Sequence, residues 1–200
     1  MKESYYLSNS CVIKNQKVFK NETLVFESNE ADFNAFAKAT YKNLQLEYPK
    51  FFKMDGLSKL AFLASEFLLS DKNEADNIAL LFANKSASLD TDLKHQESIQ
   101  DKDNFFPSPA IFVYTLANIC IGEVSIRHRL KSESAFFCSE NYQSEFMFNY
   151  ANYLLQNQKA DKVLCGWAEF LNNEYQAVFY LVEKQGTKEH TIKEIENLFK

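Results

Sequence analysis

Glycine and proline are scarce in this chain: four glycines and three prolines occur among 200 residues. These two residues mark most tight loops and breaks, so their scarcity predicts long helices and strands with few elaborate connections. We find no linker composition and no internal repeat. The length suits one domain with a continuous core, and we expect a single domain over residues 1–200.

Basic runs and long apolar runs are also missing. A net charge of −5 without a basic cluster argues against a nucleic-acid surface. The first residues, MKESYYLSNS, lack the apolar core of a signal peptide. The longest apolar stretch, Ala110–Gly122, is too short to span a bilayer. We therefore expect a cytoplasmic protein without a membrane span.

Spacings typical of metal sites are absent. No CxxC, HxxxH or HxH pattern occurs, so we expect no metal and no cofactor. The histidines, which lie far apart, are His95, His128 and His190. The cysteines are Cys11, Cys120, Cys138 and Cys165. In a reducing compartment they should stay free. Three of them lie in strongly apolar surroundings, where a free cysteine packs as a small core residue, and a strand cysteine beside phenylalanines, such as Cys138, is normally core.

Alternating and continuous apolar patterns predict five main strands. They are Ser4–Ile13, Asn77–Asn84, Glu133–Cys138, Lys162–Phe170 and Tyr175–Lys184. The segment Gln16–Phe26 is interpreted as an edge strand or hairpin arm. The sequence LNNE between the last two strands suits a tight reversal.

Helical periodicity separates these strands. MDGLSKLAFLASEFLLSD predicts a helix that Asp55 caps, and Ala110–Leu130 predicts a long helix, apolar almost all round, in the middle of the fold. Further helices are expected over Glu30–Gln45 (or an ordered loop), Tyr142–Asn157 and Thr191–Phe199, and one helical turn over Thr91–Ser98 within the polar excursion Lys85–Phe105. The alternation predicts an α/β domain: a five-stranded, mostly parallel mixed sheet flanked by helices, with the last hairpin strand antiparallel.

The stretch Lys131–Glu145, KSESAFFCSENYQSE, predicts a strand, a turn and the start of a helix. Many α/β enzymes mount a nucleophile at such a turn, because helix N-terminal N–H groups stabilise negative charge.

Several segments resemble the N-terminal half of β-ketoacyl synthases (3-oxoacyl-acyl-carrier-protein synthases), which have a duplicated thiolase-like fold. The helix before the catalytic turn of that family is similar to Leu116–Asn118, Gly122, Val124–Arg127 and Leu130–Lys131. The family's GDAD…GG.E segment is similar to Lys159–Asp161 and Gly166–Glu169, and its first helix to PKFFKMDGLSKLAFLAS. The resemblance covers most of Ser4–Glu183 and implies one half of the thiolase-like fold. In full-length members the counterpart of Ala110–Leu130 packs against the second half, so here a partner chain or Gln16–Gln45 should cover it.

The resemblance implies a chemistry that this sequence does not carry. In the family, a cysteine at the turn takes an acyl chain from an acyl carrier protein, and two histidines of the second half assist the condensation. Here the place of the nucleophile falls on Asn141, and Cys138 lies three residues earlier. An asparagine cannot supply a thiolate, so we expect it to cap the following helix. His190 matches neither family histidine, so we expect a pseudoenzyme that does not condense acyl chains.

Two other places in the family pattern are also changed. The family's Gly-Pro is Ser132-Glu133 here, and bulkier residues, Tyr142, Gln143 and Ser144, follow the place of the nucleophile.

Aromatic residues crowd the strand and helix around this turn. In the resembled family these two elements form the dimer interface. We therefore predict an interface comprising Phe136, Phe137, Asn141, Tyr142, Phe146 and Tyr150.

The resemblance implies a non-catalytic, chain-length-factor-like subunit. It would pair with a complete β-ketoacyl synthase, or with itself, in polyketide, aryl-polyene or fatty-acid-like biosynthesis, with an acyl carrier protein as a further partner. Lys159 and Lys162 could touch the acidic helix of a carrier protein, but two lysines do not define a site, and we interpret them as surface residues. One alternative is a divergent acyltransferase or condensing enzyme that uses Cys138, with Glu140 or Glu145 as acid or base. The other is a homodimeric module that binds acyl chains without reacting.

Overall fold

The computed structural model describes residues 4–73, 76–103 and 105–200. Residues 1–3 of the N-terminal stretch and residue 104 of the predicted polar excursion lie outside the described residues. One eight-stranded sheet separates two helical layers, and each face of the sheet carries its own apolar core.

The five strands predicted from the sequence lie side by side in this sheet. The strands are β1 (Tyr6–Lys14), β2 (Lys17–Lys20), β3 (Thr23–Glu27), β4 (Ile78–Asn84), β5 (Ser134–Cys138), β6 (Lys162–Leu171), β7 (Glu174–Glu183) and β8 (Lys188–Glu189). Their order is β3-β2-β1-β7-β6-β4-β5, and β8 pairs with β1. The predicted five form the run β1-β7-β6-β4-β5. The expected total of five is wrong, because the hairpin β2–β3 and the short strand β8 extend the sheet.

The expectation of a mostly parallel sheet is also wrong. Two of the described pairs are parallel, β4 with β5 and β4 with β6, and the other five are antiparallel. Two-residue turns join β1 to β2, β2 to β3 and β6 to β7, and such turns can join only antiparallel strands. Their residues, Asn15–Gln16, Asn21–Glu22 and Asn172–Asn173, have φ between 50° and 68°. Asparagine tolerates this left-handed region well, so most of these turn positions need no glycine.

The helices are α1 (Phe33–Asn43), α2 (Gly56–Leu69), α3 (Leu89–Ile99), α4 (Pro109–Val113), α5 (Ile119–His128), α6 (Ser144–Gln156) and α7 (Ile192–Asn197), with a 3₁₀ helix over Pro49–Lys53. Helices α1, α2 and α5 contribute to the core on one face of the sheet, and α6 and α7 to the core on the other. Asp55 caps α2 as predicted, because its Oδ1 accepts a hydrogen bond from Ser58 N at 2.9 Å.

The single helix predicted over Ala110–Leu130 is wrong. A turn separates α4 from α5, because two side-chain hydroxyl groups form hydrogen bonds with backbone carbonyl oxygens there and compete with helical bonds. Ser88 Oγ donates to Thr115 O at 2.6 Å, and Thr115 Oγ1 donates to Phe112 O at 2.7 Å. The segment is not central either, since Phe112 is 60% exposed and Ile126 is 62% exposed.

The central helix of the fold is α2. All of its residues except Lys59 are buried. It packs on β1, β6 and β7, and α1 and α5 pack on it. The sequence predicts that Gln16–Gln45 covers the helix Ala110–Leu130. One part of this segment, α1, does cover a buried helix, but the covered helix is α2.

A buried ion cluster fixes α5 on α2. The Glu66 carboxylate of α2 accepts a hydrogen bond from Arg127 Nε at 2.8 Å, and His128 Nε2 lies 3.1 Å from the same oxygen. The side chain of Glu66 is only 3% exposed. Since α5 leads directly into β5, this cluster also fixes the start of the strand that carries the candidate site.

Candidate functional site

Strand β5 forms one edge of the sheet. It pairs with β4 alone, in parallel, with Phe136 opposite Phe82 and Cys138 opposite Asn84. Among the described residues no strand pairs with its outer side, so a row of backbone N–H and C=O groups faces outward. Such an edge is a template for another chain unless something covers it.

The turn after β5 spans residues 139–143. Ser139 N donates to Asn84 O at 3.0 Å, and two side chains, Ser139 Oγ and Gln143 Nε2, donate to Asn141 O at 2.9 and 3.0 Å. Helix α6 begins at Ser144, and its first flanking residue is Gln143. The prediction that Asn141 caps this helix is therefore wrong, since the helix starts too late. The side chain of Asn141 is exposed.

Cys138 ends the edge strand and is exposed. The expectation that it packs as a core residue is wrong, because among the described residues no strand lies on the outer side of β5. Beside it, Lys85 Nζ forms an ion pair with Glu140 Oε2 at 2.7 Å, so the candidate base Glu140 already has a partner. The other candidate, Glu145, lies in the first turn of α6.

The histidines are engaged elsewhere in the fold. His128 lies against Glu66, His190 lies 3.2 Å from Asn152 Oδ1, and the ring of His95 packs against Phe112. None of these contacts involves the turn after β5. The other cysteines, Cys11, Cys120 and Cys165, are buried. Burial raises the pKa of all three thiols, that of Cys165 to about 12, which keeps them protonated.

Tyr142 points from the turn into the core. Its hydroxyl lies 2.9 Å from that of Tyr180 on β7, and its ring stacks on Phe199 with centroids 4.7 Å apart. Burial raises the pKa of both tyrosines well above the usual value. The space under the turn is therefore filled by an aromatic ring rather than left open.

Four aromatic side chains form a continuous group on α6 and β5, which we call the aromatic surface: Phe137, Phe146, Tyr150 and Tyr153. Ring centroids are 4.9 Å apart for Phe137 and Phe146, 5.9 Å for Phe146 and Tyr150, and 6.4 Å for Tyr150 and Tyr153. Phe146 is 48% exposed and Tyr153 is 53% exposed. The sequence analysis missed Tyr153, although positions 146, 150 and 153 have the spacing of one helical stripe.

The remaining predicted interface residues frame this surface. Phe136 points to the opposite face of the sheet and packs against the α2 core. The Tyr150 hydroxyl donates a hydrogen bond to Glu133 Oε1, just before β5. This bond is the main cause that raises the pKa of Tyr150 to about 12. The bond ties α6 to β5, so the strand edge and the aromatic surface form one unit.

Charged and metal-binding groups add little at this site. Lys162 forms ion pairs with Asp76 at 3.1 Å and Glu183 at 3.0 Å, whereas Lys159 is exposed. Within the described part of the chain, no three His, Cys, Asp or Glu side chains are arranged to hold a metal ion. No helix among the described residues is long and apolar enough to cross a bilayer.

No protein-family model and no curated protein matches the chain. Solved structures do match. The ishigamide ketosynthase/chain length factor superimposes with a TM-score of 0.67 at 17% identity, over 90% of this chain and 62% of the other. A ketosynthase in complex with its chain length factor from Xenorhabdus doucetiae matches with a TM-score of 0.64 at 14% identity, over 98% of this chain and 90% of the other.

A β-ketoacyl synthase from Burkholderia phymatum matches with a TM-score of 0.62 at 11% identity, over 92% of this chain and 59% of the other. The chain thus spans less than two thirds of two of these three proteins. The superpositions confirm the predicted fold class: the chain has the thiolase-like fold of ketosynthases and chain length factors.

Proposed function

We propose that the chain is a non-catalytic subunit that pairs with a complete β-ketoacyl synthase and shapes its acyl pocket, as a chain length factor does. One observation carries this proposal: the open edge of β5 lies beside the exposed aromatic surface. A bare strand edge and a cluster of exposed rings each favour association, and here they are adjacent.

The contacts suit a stable interface. The rings of Phe137, Phe146, Tyr150 and Tyr153 support one another through edge contacts, so they lose little freedom on binding. Truncation of a hot-spot residue near the centre of an interface, where tyrosine is enriched, costs about 2 kcal/mol or more of binding free energy. Phe136 anchors the edge strand to the core on the opposite face, Asn141 lies in the turn after the strand, and Tyr142 supports this turn from beneath.

The residues of the turn after β5 favour a non-catalytic role for the chain. At the place of the family's nucleophile stands Asn141, whose amide cannot carry an acyl thioester. In this proposal the partner supplies the nucleophile and the histidines. One of the matching structures is a ketosynthase in complex with its chain length factor, and another is the ishigamide ketosynthase/chain length factor. We extend the proposal to polyketide, aryl-polyene or fatty-acid-like assembly on an acyl carrier protein.

Co-expression with the cognate synthase tests this function. We expect a stable heterodimer on size exclusion, and Phe146→Asp should abolish it, because a charge would be buried among the rings. Leu24→Asp is the matched control: Leu24 is 45% exposed but lies on β3, at the opposite edge of the sheet. Separate elution of wild-type chain and synthase, with the synthase fully active alone, would overturn the proposal. Pairing that survives Phe146→Asp would place the interface elsewhere, and loss of pairing in both variants would mean that the substitutions act by damaging the fold.

A second candidate follows from the exposure of Cys138. In an acyltransferase, its Sγ would attack a thioester carbonyl, take the acyl group and release the carrier thiol. Intact-mass measurement after incubation with acyl-CoA decides between the two functions. An adduct that disappears in Cys138→Ser would support catalysis, and an unmodified mass would rule this route out. A lipid retained without a covalent bond by a dimer of the chain, in native mass spectrometry, would instead indicate the acyl-binding module.

A further inference from the structure

A polar cavity lies on the side of α6 next to β8. Its volume is about 360 Å³, and we call it the His190 cavity. Its lining includes side-chain amides, aromatic rings, one carboxylate and one imidazole: Phe148, Asn149, Asn152, Tyr153, Gln156, Glu189 and His190. Of these, only Tyr153 belongs to the aromatic surface, so most of this cavity has no role in the proposed pairing.

His190 forms the buried wall of the cavity. It is 5% exposed, its Nδ1 lies 3.2 Å from Asn152 Oδ1, and its ring packs against Phe148 with centroids 4.9 Å apart. Its Nε2 is buried without a hydrogen-bond partner among the described residues. When Nδ1 donates to Asn152, Nε2 is an acceptor that lacks a donor. A buried acceptor without a hydrogen bond destabilises the fold, and a ligand that supplies a donor removes this cost.

The electrostatics of the cavity favour a cation. Burial lowers the pKa of His190 to about 4, so this imidazole is neutral at neutral pH. Glu189 is then the only charged side chain in the lining, and none of the described lining residues is a lysine or arginine. Asn152, Tyr153 and Gln156 belong to the end of α6, where the helix dipole presents partial negative charge.

The shape and chemistry of the lining point to one kind of cation. We propose that the His190 cavity binds a guanidinium group. A guanidinium is planar and presents five N–H donors, which match the Glu189 carboxylate and the amide oxygens of Asn149 and Gln156. It also stacks on aromatic faces, and Phe148 and Tyr153 provide these. A compact ammonium would satisfy fewer of these acceptors, and an anion would be repelled.

A titration of the full chain tests this site without the synthase. The probe is N-acetyl-arginine amide, and the signal is the His190 imidazole resonance in a long-range ¹H–¹⁵N spectrum. We expect a saturable shift of His190 in the millimolar range. N-acetyl-citrulline amide, which has the same shape without the charge, should leave the resonance unchanged. Glu189→Gln should weaken binding at least fivefold, and Glu174→Gln, an exposed carboxylate on β7, should not.

Three outcomes would overturn the site: no shift of His190, an equal shift with the citrulline compound, or equal affinity in Glu189→Gln. The same spectrum of the purified heterodimer identifies the source of the group. A His190 resonance already at its bound position, without probe, assigns the guanidinium to an arginine of the synthase. A resonance that moves only on addition of probe assigns it to a small solute. Failure of the heterodimer to form would refute the proposed pairing but leave the titration result unchanged.

Discussion

The hydroxyl oxygens of Tyr142 and Tyr180 lie 2.9 Å apart in the core between the sheet and α6. Tyr142 belongs to the turn that follows β5, and Tyr180 lies on β7, in the interior of the sheet. The two rings meet nearly at right angles, with centroids 6.4 Å apart. This pair anchors the turn to the sheet, so the turn is a packed structural element rather than an open site.

Tyr142→Phe should therefore destabilise the fold. It removes one hydroxyl and leaves the buried hydroxyl of Tyr180 with one partner fewer, which costs about 1–2 kcal/mol. Urea unfolding followed by circular dichroism measures this difference. Tyr6→Phe is the control, since the ring of Tyr6 is half-buried and its hydroxyl has no hydrogen bond among the described residues. Equal midpoints for the two variants would mean that the hydroxyl pair contributes nothing.

Local signals sufficed for much of this architecture. The Asp55 cap, the apolar pattern of α2 and the asparagine turn between β6 and β7 each depend on neighbouring residues, and the structure has all three. The strands were also predictable one by one. The antiparallel majority was predictable only in part. Hairpin turns produce three of the five antiparallel pairs, whereas the pairs of β1 with β7 and β8 depend on where β1 enters the sheet.

Long-range contacts account for the other failures. The break between α4 and α5 depends on Ser88, which is 27 residues away from Thr115 in the chain. The exposure of Cys138 depends on strand order, because the same apolar strand would be buried in any inner position. Helical spacing alone, by contrast, would have predicted Tyr153 as part of the aromatic surface.

Two glycines should respond in opposite directions to alanine. In β6, a Cβ on Gly166 would lie 2.6 Å from the ring of Phe179, which is fully buried, so we expect a loss of about 1–3 kcal/mol. In α5, a Cβ on Gly122 would meet nothing within 4 Å, so Gly122→Ala should stabilise the fold by about 0.5–1 kcal/mol through helix propensity. Thermal unfolding of both variants tests this contrast, and shifts of the same sign would contradict it.

The cluster around Glu66 predicts a strong effect of charge removal. Arg127→Met leaves the buried carboxylate with His128 alone, and breaking such a pair costs about 3 kcal/mol. Burial alone would raise the pKa of Glu66, but the nearby imidazole of His128 and the hydrogen-bonded guanidinium of Arg127 outweigh it and lower the pKa. Urea unfolding at neutral pH measures the loss.

A double variant separates charge from packing in this cluster. Glu66→Gln combined with Arg127→Met should lose less stability than the sum of the two single changes, because no unpaired carboxylate remains. Lys38→Met, at an exposed position of α1, should be nearly neutral. Additive effects in the double variant would mean that the carboxylate of Glu66 does not need Arg127.

His190 predicts a pH dependence of stability that one substitution should remove. An unfolded histidine has a pKa of 6.5, and burial lowers that of His190 to about 4 in the fold. Between these values the unfolded chain binds more protons than the folded chain, so the free energy of unfolding rises with pH. The stabilisation is complete above pH 6.5 and is lost as the pH falls towards 4, by an amount on the order of 3 kcal/mol.

His190→Gln keeps a polar group near Asn152 and removes the titration. The comparison is made on urea unfolding curves from pH 4 to 8, where the wild type should lose stability below pH 6.5 more steeply than the variant. Glu66 also contributes stability that is lost as the pH falls, because its pKa is lowered in the fold. This loss is the same in both proteins, so it cancels when their stabilities are compared. Parallel curves would show that burial does not lower the pKa of His190. Below pH 6.5 its cavity would then carry a positive charge as well, so a bound guanidinium would be released as the pH falls through that value.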